Sequence, residues 1–243
     1  MFASKSAFVN GGPAYPDAID LNFQAESAPT DAAGETGRGK SPFDYGRSAD
    51  LALAGVILIA ALPVLVLICL AIWAQDGGSP IFAHRRIGRN GRTFPCLKLR
   101  TMVMNADDRL RHLLESDPQA AEEWARDQKL RSDPRITPLG QFLRKSSLDE
   151  LPQLINVMVG HMSVVGPRPI VEAEVPRYGR YFGYYCSVRP GITGLWQISG
   201  RNNTSYRRRV AIDTVYSRQK TVAFDFWIMG QTIPALLTSK GCY

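Results

Sequence analysis

From Leu51 to Gln75 the chain runs through 25 uncharged residues bracketed by Asp50 and Asp76, and no other feature restricts its fold as strongly. As a helix this stretch would be about 37 Å long, enough to cross a hydrocarbon core of about 30 Å. Pro63 sits at its midpoint. It has no N–H to donate and its ring crowds the carbonyl of Ile59, which costs about 3 kcal/mol in a helix interior and produces a kink. Each half alone would reach only about 18 Å. A sharply bent segment would enter and leave by one leaflet, a mildly kinked one would span, and a core helix of a soluble protein would be buried. Local sequence leaves these arrangements open.

Charge divides the chain at the same place. Residues 1–50 carry 4 basic and 7 acidic side chains, net −3, and residues 76–243 carry 25 basic and 15 acidic, net +10. Positive charge after an apolar segment suits an anionic leaflet, a phosphorylated substrate or nucleic acid, and a spanning helix with this domain on the cytoplasmic side is allowed by the positive-inside rule. With 243 residues the chain is too short for a polytopic transporter, and 45% hydrophobic content excludes disorder throughout. The first 44 residues, rich in Gly, Pro, Ala, Ser and Asp without an apolar period, read as a disordered tail. Cys69, Cys96, Cys186 and Cys242 are scattered, as are His84, His112 and His161. Their spacing indicates no disulfide framework, zinc site or His-dependent triad.

After Gly77-Gly78 the chain reads as a hairpin. A strand-like run at Ser79–Ala83 leads to Asn90-Gly91, a strong turn signal, and Thr93–Met102 returns with Lys98 and Arg100 alternating against Leu97 and Leu99. The hairpin carries Arg85, Arg86, Arg89 and Arg92, which suit phosphates at a membrane surface. Asn105 is placed to cap a helix to about Ser116, a second helix follows Pro118, and Thr137-Pro138 opens a third with Leu139, Phe142 and Leu143 at core spacing.

The most informative stretch is Ser146–Asn156. Ser147 and Glu150 have capping-box spacing and Pro152 suits a first turn, so Asp149 and Glu150 are expected at the start of a helix that Gly160 ends. A carboxylate there is held ionised by free N–H groups. An ionised Asp can attack phosphorus while its neighbour holds a divalent cation. Simple helix capping is the alternative on spacing alone. Gly166-Pro167-Arg168-Pro169 follows as a rigid loop fixing one arginine, and Arg189–Gln197 with Ser199–Asn202 forms a Gly-punctuated basic loop region. No Walker or dinucleotide glycine motif occurs.

Together these blocks resemble the bacterial sugar transferase family, the monotopic phosphoglycosyl transferases that start polysaccharide assembly on a polyprenyl phosphate. The residues that carry the resemblance are Arg86-Ile87-Gly88 with Lys98–Met102, Leu139-Gly140 through Arg144-Lys145, Ser147–Leu154, Met162–Pro169 and Arg189–Asn202. It covers about residues 45–243 and is nearest to small exopolysaccharide-priming members. Family members usually carry Gln at the position of His84 and an aromatic at that of Leu99. The resemblance implies an α+β fold: a mostly helical cytoplasmic catalytic domain over 76–243 with a small hairpin, anchored by a proline-broken re-entrant helix over 45–75 and by interfacial amphipathic helices, monotopic on the cytoplasmic face of the inner membrane.

It also implies a reaction. Hexose 1-phosphate, galactose or glucose, would pass from a UDP-sugar to undecaprenyl phosphate with release of UMP, as the first step of exopolysaccharide repeat-unit assembly. Asp149 would attack the sugar-bearing phosphate and form a covalent phosphosugar intermediate, Glu150 would bind Mg²⁺, and Arg86, Lys98, Arg100, Arg144, Arg168 and Arg201 would hold phosphates. Partners would be the two substrates and leaflet lipids, with downstream glycosyltransferases acting on the product and no nucleic acid. Further along, Tyr178, Tyr181, Phe182, Tyr184 and Tyr185 cluster, and an apolar stretch from Phe224 is interrupted by Pro234. Either set would fit the headgroup layer or a core. The competing function is a membrane-anchored basic binding module for anionic lipid or nucleic acid, without catalysis.

Overall fold

A computed structural model describes residues 45–127, 130–199 and 205–237. The expected tail over 1–44, and Arg201, lie outside these residues. The chain is mostly helical with two small sheets. Helix α1 (Tyr45–Asp76) leads into strands β1 (Ile81–Ile87) and β2 (Thr93–Leu99), and helices α2 (Ala106–Ser116), α3 (Pro118–Asp127) and α4 (Pro138–Lys145) follow. A 3-10 turn at Leu148–Glu150 precedes α5 (Gln153–Met158), β3 (Ser163–Val165), α6 (Val175–Tyr178), α7 (Phe182–Ser187) and β4 (Gly191–Thr193). Helices α8 (Leu195–Ile198), α9 (Tyr206–Gln219) and α10 (Val222–Leu237) complete the order.

The long apolar helix continues through Pro63. Among the described residues it is the one helix long and apolar enough to cross a membrane. Only 11% of its most apolar stretch is buried, whereas a soluble core helix would be covered on most sides. One narrow side does pack. Ala54 enters the main core with Phe94, Leu154, Val157 and Met162, and Leu65 and Ile72 join a second cluster with Leu99 and Leu143. Val56, Ile59, Leu67, Leu70 and Trp73 remain exposed.

Polar contacts tie both ends of α1 to the same globular body. Near its start, Arg47 donates to the Val157 carbonyl at 2.6 Å, and Asp50 accepts from Ser163 Oγ at 2.7 Å and from the Val164 amide at 3.0 Å. At its end, Asp76 accepts from Arg100 at 2.8 Å and from the Gly78 amide at 3.0 Å.

The expected hairpin forms, with a first strand that runs on to Ile87 and a return strand that stops at Leu99, short of the expected Met102. β1 and β2 pair antiparallel from Ile81 opposite Leu99 to Ile87 opposite Thr93. Asn90 and Gly91 both have positive φ, 58° and 70°, the turn geometry that matches strand twist. The second sheet is a short parallel pair, β3 with β4, and β4 lies within the stretch expected as a Gly-punctuated loop region.

Three local expectations change. Asn105 stands before α2 but its side chain makes no cap bond; the equivalent bonds at α3 come from Asp117 Oδ1, which accepts from the Gln119 and Ala120 amides. Phe142 is exposed and Leu143 buried, because α4 turns only one side to the core. Helix α10 runs on through Pro234. Tyr178 and Tyr185 are core residues, joined by partly buried Tyr181 and Phe182. Their hydroxyls are satisfied inside, Tyr178 donating to Asp213 and Tyr185 to the Ile87 carbonyl, both at 2.7 Å.

Candidate active site

Helix α4 brings the chain to the acidic pair. Thr137 caps it by accepting from the Gly140 amide at 2.9 Å, and Ser146 closes it by donating its hydroxyl to the Phe142 carbonyl at 2.9 Å. Ser147 then adopts φ 57°, ψ 16°, a left-handed conformation that costs a serine about 1–2 kcal/mol. This reversal turns Asp149 inward. The expected capping box is absent: an N-cap needs extended dihedrals, Ser147 makes no side-chain cap bond, and α5 begins only at Gln153. The carboxylates occupy the separate 3-10 turn.

Asp149 is 9% exposed. Burial pushes its carboxyl above the ordinary range and Glu150 adds to that, while Lys98 and Arg144 oppose it. Flanking cations thus favour the charged form, where a helix terminus had been expected to do so. Lys98 Nζ lies 2.6 Å from Glu150 Oε1 and 3.9 Å from Asp149 Oδ2. Arg144 donates through Nε to Thr101 Oγ1 at 2.9 Å. That bond leaves its terminal nitrogens for a ligand.

Asn156 and Thr101 position these groups, and sequence reasoning assigned neither a role. Asn156 is 2% exposed and reaches from α5 to β2, accepting from the Leu97 amide at 2.8 Å and donating to the Pro95 carbonyl at 2.7 Å. It thereby fixes the strand carrying Lys98 against the turn carrying Asp149. The available signal was an amide on an otherwise apolar helix face.

The Pro-flanked loop is held at several points. The Gly166 amide donates to the Thr193 carbonyl, and the Gly191 amide to the Pro167 carbonyl, both at 2.9 Å. Arg86 donates to the Pro169 carbonyl at 3.1 Å and lies 3.8 Å from Glu174. Arg86 therefore braces the loop, whereas the guanidinium of Arg168 stands over the Trp196 ring at 5.3 Å. The buried Cys96 thiol feels Lys98, Arg86, Glu150 and Arg168, which groups the loop and the acidic pair around β2; burial, the largest influence, pushes it up. Arg100 differs from the expectation: its guanidinium is committed to Asp76 and the Ile72 carbonyl.

The donor set also bears on the metal. Among the described residues no three His, Cys, Asp or Glu side chains gather as a metal cage. Mg²⁺ fits two adjacent carboxylates under those terms, because it is commonly bound through one or two carboxylates completed by substrate phosphates and water. Glu150 would hold it, exchanging its contact with Lys98.

Residues 44–239 match the bacterial sugar transferase family. The chain belongs to that family. It is 50% identical over 197 residues to the exopolysaccharide production protein ExoY of Sinorhizobium fredii, covering 81% of this chain and 87% of that protein. It is 47% identical to the undecaprenyl-phosphate galactose phosphotransferase of Salmonella typhimurium, covering 81% of this chain and 41% of that larger protein. It is also 37% identical to the UDP-glucose:undecaprenyl-phosphate glucose-1-phosphate transferase of Caulobacter vibrioides, covering 81% and 71%. This sugar transferase is thus an enzyme whose shared region contains the whole site described above.

Proposed function

We propose that this protein transfers a hexose 1-phosphate, galactose or glucose, from its UDP-sugar to undecaprenyl phosphate, the priming step of exopolysaccharide assembly. The observation that carries the reading is the buried Asp149 with Glu150, Lys98 and Arg144 around it, in a chain similar to proteins named for that reaction. A carboxylate oxygen of Asp149 attacks the phosphorus bearing the sugar. The bond from that phosphorus to the UMP oxygen breaks, and UMP leaves with the electron pair. An oxygen of undecaprenyl phosphate then attacks the same phosphorus and expels Asp149, giving the lipid diphosphate sugar. Neither step requires a proton transfer by the protein, which agrees with a site free of histidine ligands.

Lys98, Arg144 and Arg168 hold phosphate oxygens in this reading, Arg86 secures the loop that presents Arg168, and Arg100 anchors the end of α1. Mg²⁺, when bound, would neutralise phosphate charge. A binding module without catalysis would leave the burial of Asp149 between two cations without a purpose. In membranes or nanodiscs, UMP should be released over many turnovers only when UDP-galactose or UDP-glucose and undecaprenyl phosphate are both supplied, and at no more than one UMP per protein when the lipid phosphate is withheld. Failure of every UDP-sugar in that assay overturns the reading.

The same proposal includes a monotopic arrangement on the cytoplasmic face, with 45–75 as a re-entrant anchor, 76–243 as the catalytic domain, and amphipathic elements at the interface. The polar ties from Asp50 to Ser163 and from Asp76 to Arg100 support it, since a straight spanning helix would carry one of these ends away from the domain. Ser48→Cys and Ser79→Cys, both at exposed positions, should stay unlabelled by an impermeant thiol reagent outside intact cells and react after lysis. Labelling of either from outside would contradict this topology.

A further inference from the structure

Arginines near the site divide into two kinds. The guanidiniums of Arg86, Arg100, Arg135 and Arg144 each donate to a protein acceptor. Among the described residues those of Arg168 and Arg209 make no hydrogen bond or ion pair. Both stand on one ring, Trp196, at 5.3 and 5.1 Å. The stack continues outward, with Arg209 also 5.6 Å from the Tyr206 ring and Arg177 4.9 Å from that same ring. Cation and ring therefore alternate from Arg168, at the edge of the phosphate cluster, through Trp196, Arg209 and Tyr206 to Arg177.

This wall is polar and unfinished. Arg209 Nε, the Tyr206 hydroxyl and Gln197 Oε1 are buried without a hydrogen-bond partner, while Gln197 Nε2 is fixed on the Ile192 carbonyl at 3.0 Å. Buried polar atoms are nearly always paired, so three orphans beside two uncommitted guanidiniums mark a surface that a ligand completes. Its chemistry narrows the ligand. The guanidiniums require an anion, and Gln197 Oε1 requires a hydrogen-bond donor. The fully ionised phosphate of a lipid monoester supplies only acceptors, whereas a nucleotide supplies a phosphate together with ribose hydroxyls and a base N–H.

We infer that Arg209, Tyr206, Gln197 and Trp196 form the subsite for the nucleoside monophosphate half of the donor, and retain it as UMP when the phosphorus–oxygen bond breaks. The inference rests on the transferase reading and extends it. With the sugar-bearing phosphate placed at Asp149, Lys98 and Arg168, the second phosphate and the nucleoside must continue in some direction. The ladder begins at Arg168 and continues through Arg209 to Arg177. Asp213 is 2% exposed and accepts from the Tyr178 hydroxyl; it lies within electrostatic reach of Arg209 and Arg168 but forms a close ion pair with neither among the described residues.

The test uses the full-length protein in nanodiscs. Arg209→Gln should raise the UMP inhibition constant and the KM for UDP-sugar about tenfold or more, as expected for loss of a charge-assisted contact, with the KM for undecaprenyl phosphate unchanged. A rise in the lipid-phosphate KM instead would assign the ladder to the lipid headgroup and overturn the inference, as would no change in either constant. Gln197→Leu keeps both guanidiniums and guards against a folding defect in the first variant. It should weaken inhibition by UMP and leave inhibition by inorganic phosphate as it was; equal effects on both would overturn the nucleotide assignment. Titrating UMP against tryptophan fluorescence separates the two levels. A wild-type protein that binds UMP in an Arg209-dependent way but turns nothing over refutes the transferase reading and leaves the subsite standing.

Discussion

Asp149→Asn should lower UMP release by at least ~10³-fold, the scale of nucleophile removal in covalent catalysis, while the protein keeps its thermal transition or gains in it. The two effects have opposite signs for one physical reason. Burial pushes the Asp149 carboxyl up, so its ionisation costs the folded state stability, a cost that sets in as pH rises above the unfolded value and is complete above the folded one. A neutral amide of the same shape removes the cost and the nucleophile together. A structural carboxylate would behave otherwise, because losing a stabilising partner of Lys98 would lower the transition. Single-turnover reaction with UDP-sugar labelled in the sugar should leave label covalently on wild-type protein when lipid phosphate is withheld, and none on the variant. Undiminished UMP release from Asp149→Asn would end the assignment of Asp149 as nucleophile.

What the sequence could reveal about this site depended on whether the determining contacts were local. The hairpin was legible because Asn90-Gly91 dictates its own turn, and α4 because Thr137-Pro138 and the apolar spacing act within eight residues. The acidic pair was legible as chemistry but not as geometry. Capping-box spacing pointed to a helix start, yet Ser147 adopts a left-handed conformation that no neighbour in sequence announces. Arg100 illustrates a second limit. Alternation placed it on the hairpin with Lys98, but its partner Asp76 lies at the end of α1, beyond a pattern-based reading. Arg209 shows a third: within Arg207-Arg208-Arg209 the charges are identical, and only the burial of one against Trp196 separates it from its exposed neighbours.

Gly191→Ala should be among the most damaging single-methyl changes near the site. By sequence the glycines of the Arg189–Asn202 stretch read as punctuation of a loop, but β4 runs beside β3 with backbones too close for a side chain between them. A Cβ at Gly191 would overlap the Gly166 nitrogen, the Thr193 carbonyl oxygen and the Val165 carbonyl carbon, all main-chain atoms that no rotamer change can move. Relief requires parting the two strands, which breaks the bonds from Gly166 to Thr193 and from Gly191 to Pro167 that hold the loop presenting Arg168. Destabilisation of at least ~3 kcal/mol is expected, equivalent to about 6–12 °C in Tm for a domain of this size. UMP release should fall even well below that transition, since Arg168 loses its fixed position before the core melts. Gly183→Ala provides the contrast: a Cβ there meets nothing within 4 Å and α7 gains a better helix former, so stability should hold or rise by up to ~1 kcal/mol. Equal melting temperatures for the two variants would mean that β3 and β4 do not approach as closely as the parallel pairing requires.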